Sequence, residues 1–425
     1  MARVKHILLF SLIAIFFEMV LEAKPSFAAF TTSDLQGTCR LHILTTLGEW
    51  IRGPLTIDGS GNYSFTTETS EGDSEETTGK VIISSNGIIT MTDRPGLQGV
   101  MNTDKNFFVM TETWDFDFGV YEFVLFLDVK QGSGPFGPSD LAGTWYGHYL
   151  VSGLWNAWVR ETNTIDSAGY STTQWVDSDG NSETSDPRRG DMSNDGILTS
   201  SEWEPLQGVV SRSKNLIVLT NTRSEKECEM GIMMKEGGSF SSQDLTGTWY
   251  GHTLLVGNWK AWTRSTWNMD STGYFQFAYE NFDGSSGADS GTLDISNTGI
   301  ITVRGDPNLQ GVMNMDKNII AWTQEWSGNV YALAVLVKSE KPKQAVQSPM
   351  KEPHCAPWPW QTVNTCSHAG MIWGHTILMS LWMETEKSPY MISALDWHHL
   401  RPCLARLRPC LMTLLWPVRL LAAQR

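Results

Sequence analysis

Short runs of aromatic and β-branched residues, each cut off by Gly, Asn, Asp or Ser, fill the first three quarters of the chain. The pattern is clearest from residue 247 onward. Candidate strands there cover 247–256, 259–269, 274–279, 292–296, 300–303, 310–313, 319–326 and 330–337. Turn residues such as Asp270-Ser271-Thr272-Gly273 and Asn297-Thr298-Gly299 separate them. β-branched and aromatic residues suit a pleated, half-buried surface, and Gly and Asn supply the tight connections. No stretch keeps a helical period. The prediction is all-β, with successive strands joined as hairpins into an antiparallel meander. Such a sheet has to hide its edges, by closing into an up-and-down barrel or curled sheet, or by packing as a β-sandwich. Short connections favour the barrel.

The same text is written three times. Asp34-Leu35-x-Gly37-Thr38, Asp140-Leu141-x-Gly143-Thr144 and Asp244-Leu245-x-Gly247-Thr248 lie 106 (140−34) and 104 (244−140) residues apart. Leu-Gln-Gly-Val recurs in step, from Leu97, Leu206 and Leu309. A period of this length is that of a folding domain rather than a solenoid repeat. The expected division is a signal peptide over 1–29, β-repeats over 30–130, 139–236 and 240–338, and a remainder over 339–425. The linkers around Gly132-Ser133-Gly134-Pro135 and Glu236-Gly237-Gly238-Ser239 read as soft tethers between beads with small interfaces. In the remainder, Gly370, Gly374, His375 and Thr376 match the opening of the third repeat before the match breaks down.

Charge and the N-terminus narrow the class. A net charge of −15 argues against nucleic-acid binding, which needs basic patches. Arg3 and Lys5 precede an apolar run at 7–17, and small residues follow at 26–29. This is a secretory signal pattern, too short to span a bilayer comfortably, so no membrane span remains after cleavage. The protein is expected to be secreted or periplasmic. Cys39 and Cys228, the cysteines within the repeats, occupy non-equivalent places and read as incidental thiols.

Three constellations could carry chemistry. Gly143-Thr144-Trp145 and Gly247-Thr248-Trp249 resemble the Gly-x-Trp opening of the calycins, the lipocalin and avidin group. That resemblance implies a barrel whose Trp plugs one end and whose interior holds a small ligand. Repeat 1 departs from it, with Cys39 in the Trp slot. Strand alternation then sends His42, His148 and His252 to the face opposite the Trp. On the next strand Trp50-x-Arg52, Trp158-x-Arg160 and Trp262-x-Arg264 put indole and guanidinium side by side. Such a pair can pack as a cation–π contact at a barrel end, or stand exposed as a sugar platform.

The third constellation occurs in repeat 2 alone. Asp191, Ser193, Asp195, Thr199 and Glu202, with Gly196 at the sixth position, fit the twelve-residue calcium loop and resemble EF-hand and dockerin-type proteins. Asp191, Ser193, Asp195, Thr199 and Glu202 are therefore candidate Ca2+ ligands. The sister segments at 84–90 and 296–302 read as strand, turn, strand, so a plain hairpin is the competing assignment.

No nucleophile elbow, zinc-protease motif or phosphate loop is found. The expectation is an exported, non-enzymatic binding or adhesion protein without a cofactor, holding a glycan or envelope surface through three tethered sites. Calcium binding through 191–202 and carriage of a small apolar ligand are the alternatives.

Overall fold

The computed structural model describes residues 29–116, 120–132, 134–200 and 205–339. The signal-like segment and the partial fourth repeat lie outside them. Among the described residues no helix is long and apolar enough to cross a membrane.

Each repeat is an antiparallel meander curled on itself. In the first, nine strands run from Gly37–Thr45 to Val120–Lys130, and the first pairs with the last, Cys39 opposite Lys130. The third closes the same way, Gly247–Gly257 on Val330–Lys338. The expected barrel, rather than the sandwich, is the architecture found. The second barrel has a seam. Where barrel 3 has one continuous strand, Ser286–Ile295, barrel 2 has three fragments: Ser182–Thr184, Arg188–Arg189 and Asp191–Met192. Pro187 lies in this break and has no N–H for a ladder bond.

The recurring Asp-Leu-x-Gly motif closes one end of each barrel. Asp34, Asp140 and Asp244 accept hydrogen bonds from the backbone N–H of Thr31, Gly137 and Ser241 at 2.8, 2.9 and 2.9 Å. They also pair with Lys105, Lys214 and Lys317 at 2.9, 2.8 and 3.0 Å. Phe30, Phe136 and Phe240, each four residues before its Asp, are buried, and each of those lysines stands over one of their rings. The indoles of Trp145 and Trp249 are fully buried and donate to the carbonyls of Leu141 and Leu245. Phe136 also takes the Asn194 carbonyl through its backbone N–H, so the linker is pinned to barrel 2.

The barrels are not beads. One apolar cluster draws on all three, including Leu44, Trp50 and Leu125 from the first, Leu150, Trp158 and Met230 from the second, and Leu254, Trp262 and Leu333 from the third. These side chains lie on the outer faces of strands whose inner faces fill separate cores. Val124 and Phe126 point into barrel 1, while Leu125 and Leu127 point at its neighbours. The last strands are thus apolar on both faces, which is the pattern of a strand buried on both sides. The flexible-tether expectation is corrected accordingly. The shared apolar surface makes separation of the barrels costly, since burial is worth roughly 25 cal/mol per Å².

Candidate functional site

The repeated His and Trp-x-Arg residues meet in this shared core. His42, His148 and His252 are at most 4% exposed. As expected from alternation, they face away from the inward Trp. What they face is the next barrel. His42 Nδ1 lies 3.0 Å from Thr220 Oγ1 of barrel 2, His148 Nδ1 3.1 Å from Thr323 Oγ1 of barrel 3, and His252 Nδ1 3.0 Å from Thr111 Oγ1 of barrel 1. The three hydrogen bonds form a closed cycle, barrel 1 to 2 to 3 to 1.

The arginines follow the same cycle. Arg160 donates through Nε to Thr323 Oγ1 at 2.8 Å and through Nη2 to the Thr323 carbonyl at 2.7 Å. Arg264 does the same on Thr111, at 3.0 and 2.7 Å. Arg52 reaches the Pro205 carbonyl at 2.7 Å, while its Nε is buried without a partner. Each guanidinium sits over its own Trp, at 3.9 Å for Trp50 and 4.0 Å for both Trp158 and Trp262. Trp50 and Trp262 also donate across the interface, to Thr222 and Thr113, both at 2.7 Å. Trp158 Nε1 has no partner, and the position matching Thr113 and Thr222 is Glu325.

Thr111 Oγ1 accepts from Arg264 and shares a second hydrogen bond with His252 Nδ1. Burial, aided by the neighbouring arginines, pushes His42 and His148 down to about 3 and His252 well below its usual value. Burial also lowers Arg160 and Arg264 to about 10.

The sugar-platform reading of Trp50, Arg52, Trp158, Arg160, Trp262 and Arg264 is corrected here. A platform needs an exposed ring, and all three indoles are buried among the barrels. The same burial removes His42, His148 and His252 as contacts for an external ligand. Nor does the cation–π pair close a barrel end; it locks one barrel onto the next.

The calcium-loop segment is a hairpin. Asp191 and Thr199 are cross-strand partners, and Met192 pairs with Leu198. Ser193 Oγ donates to Asp195 Oδ1 and accepts from the Ile197 backbone N–H at 2.9 Å. Ser84 and Ser296 accept equivalent backbone bonds from Ile88 and Ile300, both at 3.0 Å. Asp191 lies 3.7 Å from Arg189, and Glu202 lies outside the described residues. Asp191 and Thr199, which an EF-hand loop would turn toward one cation, are here partners across a ladder. No group of three metal-binding side chains forms among the described residues.

The barrel interiors, by contrast, differ from one another. Barrel 1 holds a cavity of about 860 Å³ walled by Leu41, Ile43, Leu55, Phe65, Met91 and Phe126. Polar residues complete the wall, among them Tyr63, Asp73, Glu75, Asp93 and Arg94. Tyr63 Oη donates to Asp93 Oδ2 at 2.9 Å, and Arg94 pairs with Glu112 at 2.6 Å. Trp114, which also lines the cavity, donates to Glu112 Oε2 at 2.8 Å. Burial and the bond to Asp93 push Tyr63 up to about 12, so it stays a neutral donor. Glycine is required at position 53, where φ is +159° and a Cβ would meet the Thr66 carbonyl at 1.9 Å.

Barrel 3 is filled instead. Trp267, at the position of Leu55, stacks on Phe277 at 4.4 Å and meets Trp322 edge-on at 5.2 Å. Barrel 2 has a cavity of about 450 Å³ with polar walls, including Glu161, Asn221, Arg223 and Glu229. Sequence reasoning passed over these interiors because they do not recur. The available signal was that very difference: Gly53, Glu161 and Ser265 occupy one inward position.

No family model matches the chain, and no curated protein matches it. Among solved structures, transferrin-binding protein B from Haemophilus parasuis aligns at 11% identity and a TM-score of 0.26, over 69% of this chain and 67% of that one. A DUF3598-family protein of unknown function from Nostoc punctiforme aligns at 10% identity and 0.19, over 73% and 99%. The Aleuria aurantia lectin, solved with a fucoside, aligns at 13% identity and 0.15, over 75% and 99%. Likeness of this low order says nothing about ligand or partner.

Proposed function

We propose that this chain is an exported, non-enzymatic binding protein that takes a small, largely apolar ligand inside barrel 1. The observation that carries the reading is the cavity of about 860 Å³, whose wall combines an apolar set (Leu41, Ile43, Leu55, Phe65, Met91 and Phe126) with polar residues. Small-molecule sites have this size and this mixture. The ring of barrels supplies a rigid frame, the Tyr63 oxygen can accept from a ligand, and Arg94 keeps N–H groups beyond those on Glu112 to donate. Export rests on the basic start and apolar run before residue 29.

Barrel 3 suggests the test, because it carries Trp267 where barrel 1 has Leu55. Nile red titrated into the full chain should gain fluorescence on binding. Leu55→Trp should abolish that gain while leaving the fold intact by circular dichroism. Undiminished Nile red binding in a folded Leu55→Trp variant would sink the proposal.

A glycan-binding reading keeps one supporting observation. Trp259 and Trp326 are partly exposed and lie 6.0 Å apart at an interplanar angle of 31°. Loss of glycan-array signal in Trp326→Ala would favour it, and an array without signal for the parent chain would remove it.

A further inference from the structure

We propose that the interior of barrel 2 is a second, separate binding site, for a small organic ammonium ion held by Glu161 and Asn221 beside the rings of Tyr149 and Trp175.

The site is built into the barrel wall. Tyr149 faces inward, between positions where the other barrels are crowded differently. A Cβ at its cross-strand partner Gly231 would meet the Tyr149 ring at 2.2 Å, and one at Gly147 would meet it at 2.6 Å. The matching residues in barrel 1 are Phe126 and Leu41. Two glycines therefore make the room in which the phenol lies flat. Its ring and the Glu161 carboxylate line the same cavity. Asn163 Nδ2 donates to Glu161 Oε2 at 3.0 Å, and Ser171 donates to Asn163 Oδ1 at 3.0 Å. Glu161 is thus fixed in position by a chain of hydrogen bonds.

A second observation points to a ligand. Asn221 is 8% exposed, lines the same cavity, and has a buried Oδ1 with no partner. Its Nδ2 is committed to Glu229 Oε1 at 3.1 Å, which fixes the amide so that the oxygen is the free end. A buried acceptor left unpaired is costly, and this oxygen meets a ligand donor once the Asn221 side chain turns it into the cavity.

Charge selects the kind of donor. Glu161, Glu183, Asp186 and Glu229 face the cavity against Arg188 and Arg223, and Arg223 is paired with Glu229 at 3.1 Å. The wall therefore carries excess negative charge and offers acceptors. An ammonium group brings several donors and a positive charge. Aromatic rings at the cavity wall suit a cation. A cavity of about 450 Å³ accommodates a single-ring amine. No residue of barrel 1 takes part in this site, which stands apart from the apolar-ligand cavity.

The test uses the full chain with benzylamine, benzyl alcohol and benzoate as probes, followed by calorimetry and saturation-transfer NMR. Benzylamine should bind, and benzyl alcohol and benzoate should bind at least about tenfold more weakly, the scale of one charge-assisted hydrogen bond. Glu161→Gln keeps the shape and should weaken benzylamine by about tenfold or more. Leu55→Trp should leave benzylamine binding unchanged. The proposal is overturned by absence of benzylamine binding, by equal binding of benzyl alcohol, or by full affinity in Glu161→Gln. Loss of benzylamine binding in Leu55→Trp would also overturn it, by placing the amine in barrel 1.

Discussion

Replacing each interface threonine by valine should sort the three junctions by strength. Valine has nearly the shape of threonine but neither accepts nor donates. In Thr111→Val, Arg264 loses its Nε bond of 3.0 Å and His252 loses its partner at 3.0 Å. Thr323→Val removes the matching bonds of Arg160 and His148, at 2.8 and 3.1 Å. Thr220→Val removes only the His42 bond, because Arg52 Nε is already unpartnered. A hydrogen bond to a charged group is worth about 1.5–3 kcal/mol and a neutral one about 1 kcal/mol. The expected losses are therefore about 3 kcal/mol for Thr111→Val and Thr323→Val, against about 1 kcal/mol for Thr220→Val. Urea unfolding followed by tryptophan fluorescence and circular dichroism measures this. A single transition is expected in every variant, since the barrels share a core. Equal losses in all three, or separate transitions of which each variant shifts only one, would refute the cyclic clamp.

Three further outcomes follow from the same geometry. His148 is held down to about 3 in the fold against 6.5 for an ordinary imidazole, so its contribution is complete above pH 6.5. It is lost toward pH 3 at about 1.4 kcal/mol per pH unit, and His148→Gln should flatten a plot of stability against pH by that slope. Glu161 has the opposite sign: burial raises it from 4.5 to about 7, so ionisation above that range opposes folding. Glu161→Gln should gain up to about 3 kcal/mol at pH 8 and nothing below pH 4.5, as read from thermal melts at both values. Glu325→Thr should give Trp158 Nε1 the acceptor that Trp50 and Trp262 already have, adding about 1 kcal/mol by urea titration. A destabilised Glu325→Thr variant would show that position 325 does not face that indole.

Much of the molecule was legible in the chain. Turn spacing gave the meander, and the recurring Asp-Leu-x-Gly placed the barrel starts. Alternation correctly set His148 opposite Trp145, because a strand can only send successive side chains to opposite faces. The error lay in what the outer face meets. Recurrence of Trp-x-Arg suggested an external ligand, and it marks a surface that each barrel presents to the next. One clue was present: runs such as Phe123-Val124-Leu125-Phe126-Leu127 do not alternate, and so describe strands covered on both sides. The acidic turn at Asp195 matched a calcium loop because turns and cation loops draw on the same residues, Asp, Ser and Gly.

The sequence by itself determined the local geometry: strands, turns, three units, and inward against outward positions. These depend on steric preferences a few residues in range. Only the tertiary structure decided that the units close into a ring, that His42, His148 and His252 are interface residues, and that the interiors are mixed apolar and polar in barrel 1, acidic in barrel 2 and packed with aromatic rings in barrel 3. Those properties depend on which side chains from distant strands share one volume. His42 and Thr220 are 178 residues apart along the chain and 3.0 Å apart in space.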